Sequence, residues 1–205
     1  MTEKQGLPER LYRRWAARKD KKYGGISVDG RRETRFRSEG AEAVQSSDYR
    51  CLRRLFRGLK FTEADVLADV GCGEGRVLTW LAERHFPGRM LGIELDPEAA
   101  ETARRRTAAL RQVEILQGSI LEADAVFAQA TVYYLFNPFN GKLFSKFIGK
   151  LERECLHPVT LIYLFDYYGD YLNDRPGWTC LREETVHRPG QDDAHGRIWR
   201  YAPKK

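Results

Sequence analysis

A strand ending beside an acidic residue, a turn with three glycines in five positions and a helix that starts at once leave a chain few folds to choose from. Here the apolar run 66–70 closes on Asp69-Val70, the turn reads Gly71-Cys72-Gly73-Glu74-Gly75, and helical periodicity begins at Arg76. Glycines let the backbone bend sharply and let a ligand approach amide groups that a Cβ would screen. A turn of this kind joins a strand to its crossover helix at the carboxyl edge of an open sheet, where such folds place their ligands. The pattern therefore predicts an α/β fold with a nucleoside site at that edge.

The rest of the chain supports this reading. After residue 60, short β-branched runs alternate with amphipathic stretches, as strands joined by crossover helices do. Strands are predicted at 66–70, 90–95, 113–117, 131–136 and 159–165, and helices at 76–85, 97–110, near 121–127 and at 143–156. Segments 178–182 and 197–201 flank Pro189-Gly190 and Ala194-His195-Gly196, which suits a closing antiparallel pair. Ahead of this core, residues 7–22 form a basic helix with an apolar stripe through Leu7, Leu11, Trp15 and Arg18, stopped by Gly24-Gly25. Residues 26–38 alternate weakly around Asp29-Gly30, a hairpin or loop signal. Ser46-Ser47-Asp48 supply caps for a helix with Tyr49, Leu52, Leu55, Phe56 and Leu59 on one face, ending near Gly58. The expected organisation is a basic extension or cap over residues 1–60 and a ligand-binding domain over 61–205.

Composition narrows the function classes. Residues 1–60 hold 17 Lys and Arg against 8 Asp and Glu, while residues 61–205 hold 18 against 21, so the positive charge belongs to the amino-terminal segment. Such a field suits an anionic partner, nucleic acid included. No apolar run approaches the roughly 20 residues that span a bilayer, so no membrane partner is expected. The opening MTEKQGLPERLYRRW lacks the apolar centre of a secretory signal. Cys51, Cys72, Cys155 and Cys180 are far apart, consistent with reduced thiols in a cytoplasmic protein. No His, Cys or acidic residues recur at metal-ligand spacing, and no metal is expected.

The spacing also discriminates among nucleosides. Glu94 ends the next strand about 20 residues past the glycines, where a carboxylate accepts both hydroxyls of a ribose. The dinucleotide fingerprint G-x-G-x-x-G is not matched, because the third glycine comes one position early and Arg76 stands in its place. No Gly-Lys-Ser/Thr follows to make a phosphate loop. Asp69 would repel a phosphate but suits an ammonium group.

The stretches LADVGCGEGRVL and LGIELDP resemble the first motif and the following acidic motif of class I S-adenosylmethionine-dependent methyltransferases. The resemblance covers about residues 61–166. It implies a Rossmann-like fold with a mostly parallel seven-stranded sheet, helices on both faces and an antiparallel last strand, here with a helical extension before it. It implies S-adenosylmethionine as methyl donor, with Asp69, Gly71, Cys72, Gly73 and Gly75 at its methionine end and Glu94, next to Leu95, at its ribose. Ser119 stands where the family often has an acidic residue for the adenine amino group, and Ile120 is placed to pack on the ring. Ser119 as a mere helix cap is the competing reading.

The segment Tyr134-Leu-Phe-Asn137-Pro-Phe139-Asn140 resembles the Asn-Pro-Pro-aromatic motif of amino-group methyltransferases, with Phe139 replacing the second proline. Asn137 is thus the first candidate to orient the acceptor and to border the cofactor, Phe139 to wall the methyl group, and Asp166 to accept a proton or bind a basic acceptor. Asn137 as a plain Asn-Pro turn is the alternative. Tyr133, Tyr134, Tyr163, Tyr167 and Tyr168 cluster nearby, more of them expected in the core than in a pocket. The acceptor is not specified, small molecules being slightly favoured because no separate nucleic-acid module is present. A nucleic-acid-binding protein with a vestigial cofactor fold is the competing reading, and a nicotinamide-dependent reductase fits the alternation but not Asp69 or Arg76.

Overall fold

The computed structural model describes residues 8–23, 31–32, 36–42 and 44–203. Its centre is a seven-stranded sheet built from β3 (Val66–Val70), β4 (Arg89–Glu94), β5 (Val113–Gln117), β6 (Val132–Phe136), β7 (Val159–Leu164), β8 (Trp178–Val186) and β9 (Ala194–Tyr201). The strand order is β5-β4-β3-β6-β7-β9-β8. The first five strands of that order run parallel, and β9 is antiparallel to both β7 and β8. The chain moves outward from β3 through β5 and then returns to β6, so the topology switches between β3 and β6. Ligand crevices of open α/β sheets lie at such a point, beyond the carboxyl ends of the strands.

Alternation along each strand divides the core into two layers. Leu67, Met90, Tyr134, Ile162 and Ile198 face one side, against α1 (Glu9–Lys22), α2 (Tyr49–Phe56), α3 (Arg76–Glu83) and α4 (Pro97–Thr107). Ala68, Val70, Leu91, Tyr133 and Leu161 face the other, against α5 (Asp124–Gln129) and α6 (Gly141–Glu154). Capping chemistry sets the helix ends. Asp48, the last of the three expected caps, accepts from Arg50 N at the start of α2, and Asp96 accepts from Glu98 N and Ala99 N at the start of α4. The helix expected near 121–127 is split. Ser119 caps a 3₁₀ turn at Ile120–Glu122, and α5 follows it.

The amino-terminal helix is phased differently from the expected apolar stripe. Tyr12, Ala16 and Asp20 are the buried residues of α1, Leu11 is 46% exposed and Trp15 is half-buried; Leu7 and Gly24-Gly25 lie outside the described residues. Asp20 is the reason. Its carboxylate, fully buried, accepts from Arg76 Nε at 3.1 Å, Arg76 Nη2 at 2.6 Å and Tyr49 Oη at 2.6 Å, while Arg106 Nη1 donates to its backbone carbonyl at 3.2 Å. A buried charge persists only when paired and hydrogen-bonded, so the face that carries Asp20 must turn inward. A hydrophobicity pattern cannot show this. The hairpin signal is also modified: Asp29-Gly30 lies outside the described residues, and β1 (Arg31–Arg32) pairs antiparallel with β2 (Val44–Gln45).

Removing one partner of a buried ion pair strands the other charge. Asp20→Ala is expected to lower the unfolding free energy by about 3–5 kcal/mol in urea titrations. A loss below about 1 kcal/mol, the scale of an exposed pair, would show that Arg76 finds other compensation.

Candidate active site

The carboxyl ends of β3 and β4 are tied together by backbone donors. Gly71 N and Cys72 N both donate to Ile93 O, at 2.8 and 3.0 Å. Glu94, 6% exposed, accepts from Gly73 N through Oε2 and from Asp96 N through Oε1, each at 2.8 Å. These bonds fix the carboxylate and favour its charge, but burial outweighs them and its pKa is raised. Gly71 has φ +73°, and a Cβ there would lie 2.9 Å from Pro138 Cβ, so the loop after β3 and the loop after β6 touch. Gly75, at φ +82°, brings the start of α3 against Ala103 of α4. Cys72 turns its thiol inward, toward Gly92.

Asp69 lies beneath this loop at 2% exposure, and its Oδ2 has no hydrogen-bond partner among the described residues. Burial first, and then the neighbouring Glu94, push its carboxyl well above the ordinary value of 3.8. An unpartnered buried oxygen next to a second carboxylate is a place for a cationic group.

A cavity of about 250 Å³ opens between these strand ends. Gly71, Glu94, Leu95, Ser119, Ile120 and Phe139 line it, in keeping with the sequence pattern. Asp69, Cys72, Gly73, Gly75 and Asn137 are not part of its lining. Ser119 serves both readings, because its hydroxyl accepts from Leu121 N at 3.2 Å while the residue borders the cavity. The lining also includes Ala41, Glu42 and Gln45, which no sequence motif marks. They are seated by backbone bonds to the β6 loop: Glu42 N donates to Pro138 O at 3.1 Å and Asn140 N donates to Gly40 O at 2.9 Å.

Asn137 and Asp166 meet instead in an adjoining cleft of about 560 Å³, together with Phe136, Phe165, Tyr167 and Arg188. Asn137 has φ +38° and Phe165 φ +50°. A bulky aromatic in this region is an outlier, and such strain concentrates at functional loops. The Phe136 and Phe165 rings stack with centroids 5.2 Å apart, and the Arg188 guanidinium lies 4.8 Å from the Phe165 centroid. Tyr163 Oη donates to Asn137 Oδ1 at 2.9 Å, which fixes the amide. Asp166 forms an ion pair with Arg197, which also binds Asp170 at 2.7 Å. Burial raises the Asp166 pKa, and Arg197 opposes the rise. Tyr133 and Tyr134 are core residues; Tyr167, 71% exposed, reaches the cleft.

A third space, of about 190 Å³, extends the cleft toward α1, bounded by Glu9, Tyr12, Arg13 and Ala16. Phe136 and Gln45 border all three spaces. Phe136 was legible only as a strand residue, and Gln45 and Arg188 lie in segments without periodicity. No group of His, Cys, Asp and Glu able to hold a metal occurs among the described residues.

The elevated Asp69 pKa fixes a sign. The unfolded carboxyl ionises near 3.8, whereas the folded one keeps its proton to higher pH. Ionisation therefore adds no cost to its burial below that value, and the added cost grows as pH rises toward the folded pKa. Asp69→Asn should raise the melting temperature of the ligand-free protein at pH 7 and lose that advantage near pH 4. The gain is about 1.4 kcal/mol for every pH unit over which the folded carboxyl alone is protonated. An equal gain at both pH values would remove the electrostatic explanation.

Comparisons with known proteins agree with this geometry. A family model described as a methyltransferase domain matches residues 67–153. A protein-lysine N-methyltransferase of Saccharolobus islandicus (strain REY15A) is 27% identical over 119 residues, 57% of this chain and 71% of that protein. A trans-aconitate 2-methyltransferase of Azoarcus sp. (strain BH72) is 30% identical over 92 residues, 42% of this chain and 35% of that protein. Among solved structures, an RNA methyltransferase from Salinibacter ruber in complex with S-adenosyl-L-homocysteine superposes with a TM-score of 0.58. It is 26% identical, with 78% of this chain and 95% of that chain covered.

Proposed function

The chain is a class I S-adenosylmethionine-dependent methyltransferase, and from that premise we propose how its two spaces divide the reaction. The cavity between Glu94 and Phe139 takes the methyl donor, and the cleft at Asn137 takes the acceptor. The observation that carries this reading is Phe136, whose ring borders both spaces at the switch point of the sheet. Residues 1–60 act as a cap on the domain formed by 61–205, since Ala41, Glu42 and Gln45 close one wall of the donor cavity.

S-adenosylmethionine supplies an electrophilic methyl group on a sulfonium. Asp69 is the partner for the donor's amino group, supported by its unpartnered buried oxygen. Gly71 borders the space for that end, and the turn through Cys72, Gly73 and Gly75 holds Gly71 and Glu94 in place from behind. Glu94 receives the ribose hydroxyls on the lone pairs that Gly73 N and Asp96 N leave open, with Leu95 beside it. Ser119 and Ile120 bound the adenine position, Ile120 through apolar contact.

Asn137 orients the acceptor. With Oδ1 held by Tyr163, its amide presents a fixed donor and one remaining lone pair to the cleft beside the donor cavity. Phe139, whose ring packs 5.6 Å from that of Phe147, walls the methyl group on the donor side and helps to exclude water. Asp166 polarises the far side of the cleft, its ion pair with Arg197 keeping it in place. Methyl transfer is an in-line displacement, so positioning and dryness are the main contributions this protein must make.

Titration calorimetry with S-adenosylhomocysteine tests the donor assignment. Glu94→Ala should weaken binding by about 1.5–3 kcal/mol, the range for hydrogen bonds to a charged group, and unchanged affinity would refute the ribose role. Asn137→Ala should leave that affinity nearly intact while lowering turnover roughly 10²-fold, as misplacement of the reacting groups does. If turnover is unaffected, Asn137 is a turn residue only.

A further inference from the structure

Helix α1 carries more positive charge than its own fold uses. Arg10, Arg14, Arg18 and Lys21 are exposed and follow one another at spacings of four, four and three, which places them on a single face. They span about 16 Å of helix at 1.5 Å per residue. Neither acidic residue of α1 can neutralise them. Glu9 is engaged by Arg13 at 3.0 Å and Arg50 at 3.1 Å, and Asp20 is buried with Arg76. The helix's other cations are already paired, Lys19 and Lys22 both to Glu83 of α3. Like charges one turn apart repel, so the stripe works against the helix that bears it. It suits an anionic partner outside the chain.

The stripe does not stand apart from the reaction site. Arg13, one position round the helix from it, lines the space that runs past Tyr12, Gln45 and Phe136 into the cleft at Asn137. Along that path lie the stacked Phe136–Phe165 pair and the Arg188 guanidinium, flat groups that border the cleft. Unstacked bases are recognised by flat groups of this kind, and their backbones by basic surfaces alongside. A membrane surface fits poorly, because it needs an apolar helix face beside the basic one, and the apolar residues Tyr12 and Ala16 are spent in the core.

We infer that α1 is an RNA-docking helix: its stripe holds the phosphates of an RNA while a nucleotide of that RNA reaches the cleft at Asn137. This rests on the acceptor cleft proposed above and replaces the small-molecule expectation with a nucleic-acid substrate. Fluorescently labelled bulk transfer RNA is the probe, its binding followed by anisotropy from low to moderate salt. The full chain should bind with a steep salt dependence. The triple variant Arg10→Glu, Arg14→Glu, Arg18→Glu should weaken binding at least tenfold and flatten the salt slope by about 0.7–0.9 for each phosphate that is no longer neutralised. The milder Arg→Gln triple should give an intermediate effect. Both variants should stay folded and keep the S-adenosylhomocysteine affinity of the parent, because the three exposed side chains line no part of the donor cavity, and relief of the repulsion should leave the Arg→Gln triple no less stable than the parent. Three results would overturn the inference: no binding to transfer RNA, binding indifferent to the triple reversal, or equally tight binding of labelled polyglutamate, which would point to an acidic protein. Failure of the parent to bind S-adenosylhomocysteine would instead strike the donor assignment and leave the RNA result to be judged separately.

Discussion

The buried pair between Asp20 and Arg76 links three parts of the chain that the sequence holds far apart. Arg76 is the first residue of α3, directly after the glycine loop, and also donates to Ser47 O at 3.1 Å, just ahead of α2. Asp20 is reached by Tyr49 of α2 and, through its carbonyl, by Arg106 of α4. One carboxylate thereby sets the rotation of α1, the seating of α2 and the approach of α3 to α4. Replacing such a pair with apolar residues often costs no stability, so what it contributes is register: α1 has a single orientation in which this charge is satisfied. Arg76 also stands where a dinucleotide-binding turn would have its third glycine. The residue that departs from the pyrophosphate fingerprint is the one that anchors the amino-terminal helix.

Around the donor cavity the electrostatics run the other way. Asp69 and Glu94 are buried carboxylates on neighbouring strands, and among the described residues no cationic side chain is bonded to either. Both are raised by burial, and Asp69 additionally by Glu94. Two acids held close in a low-dielectric place are a standing cost to the ligand-free fold, and a cation nearby relieves it. In the adjoining cleft, by contrast, Asp166 already has Arg197 as partner. The chain compensates the carboxylate of the cleft and leaves those beside the cavity uncompensated.

Much of this was legible in the sequence, for physical reasons. A strand buried on both faces reads as an apolar run, as β3 does, and an edge strand as apolar–polar alternation, as β5 does; both were placed to the residue. The glycine turn and Glu94 were legible because backbone conformation and a strand-terminal acid each restrict the residue type. Boundaries slipped where local hydrogen bonds decide them: α6 starts two residues earlier than expected because Asn140 accepts from Leu143 N. The phase of α1 was misread because its deciding residue is an aspartate, which any hydrophobic pattern assigns to the surface. Gln45, Phe136 and Arg188 were missed for a different reason. Their roles come from segments brought together by chain closure, and no local spacing encodes that.

The strand-like pairing of Ala41 with Phe139 joins the first fifth of the chain to the loop that bears Asn137. The cavity wall contributed by Ala41, Glu42 and Gln45 and the loop after β6 are therefore held by one set of backbone bonds. A change in residues 36–45 that altered what α1 is attached to would also alter how the loop after β6 is held. A new lining for this cavity would therefore arise more readily by altering the side chains of Ala41, Glu42 and Gln45 than by exchanging the segment that carries them.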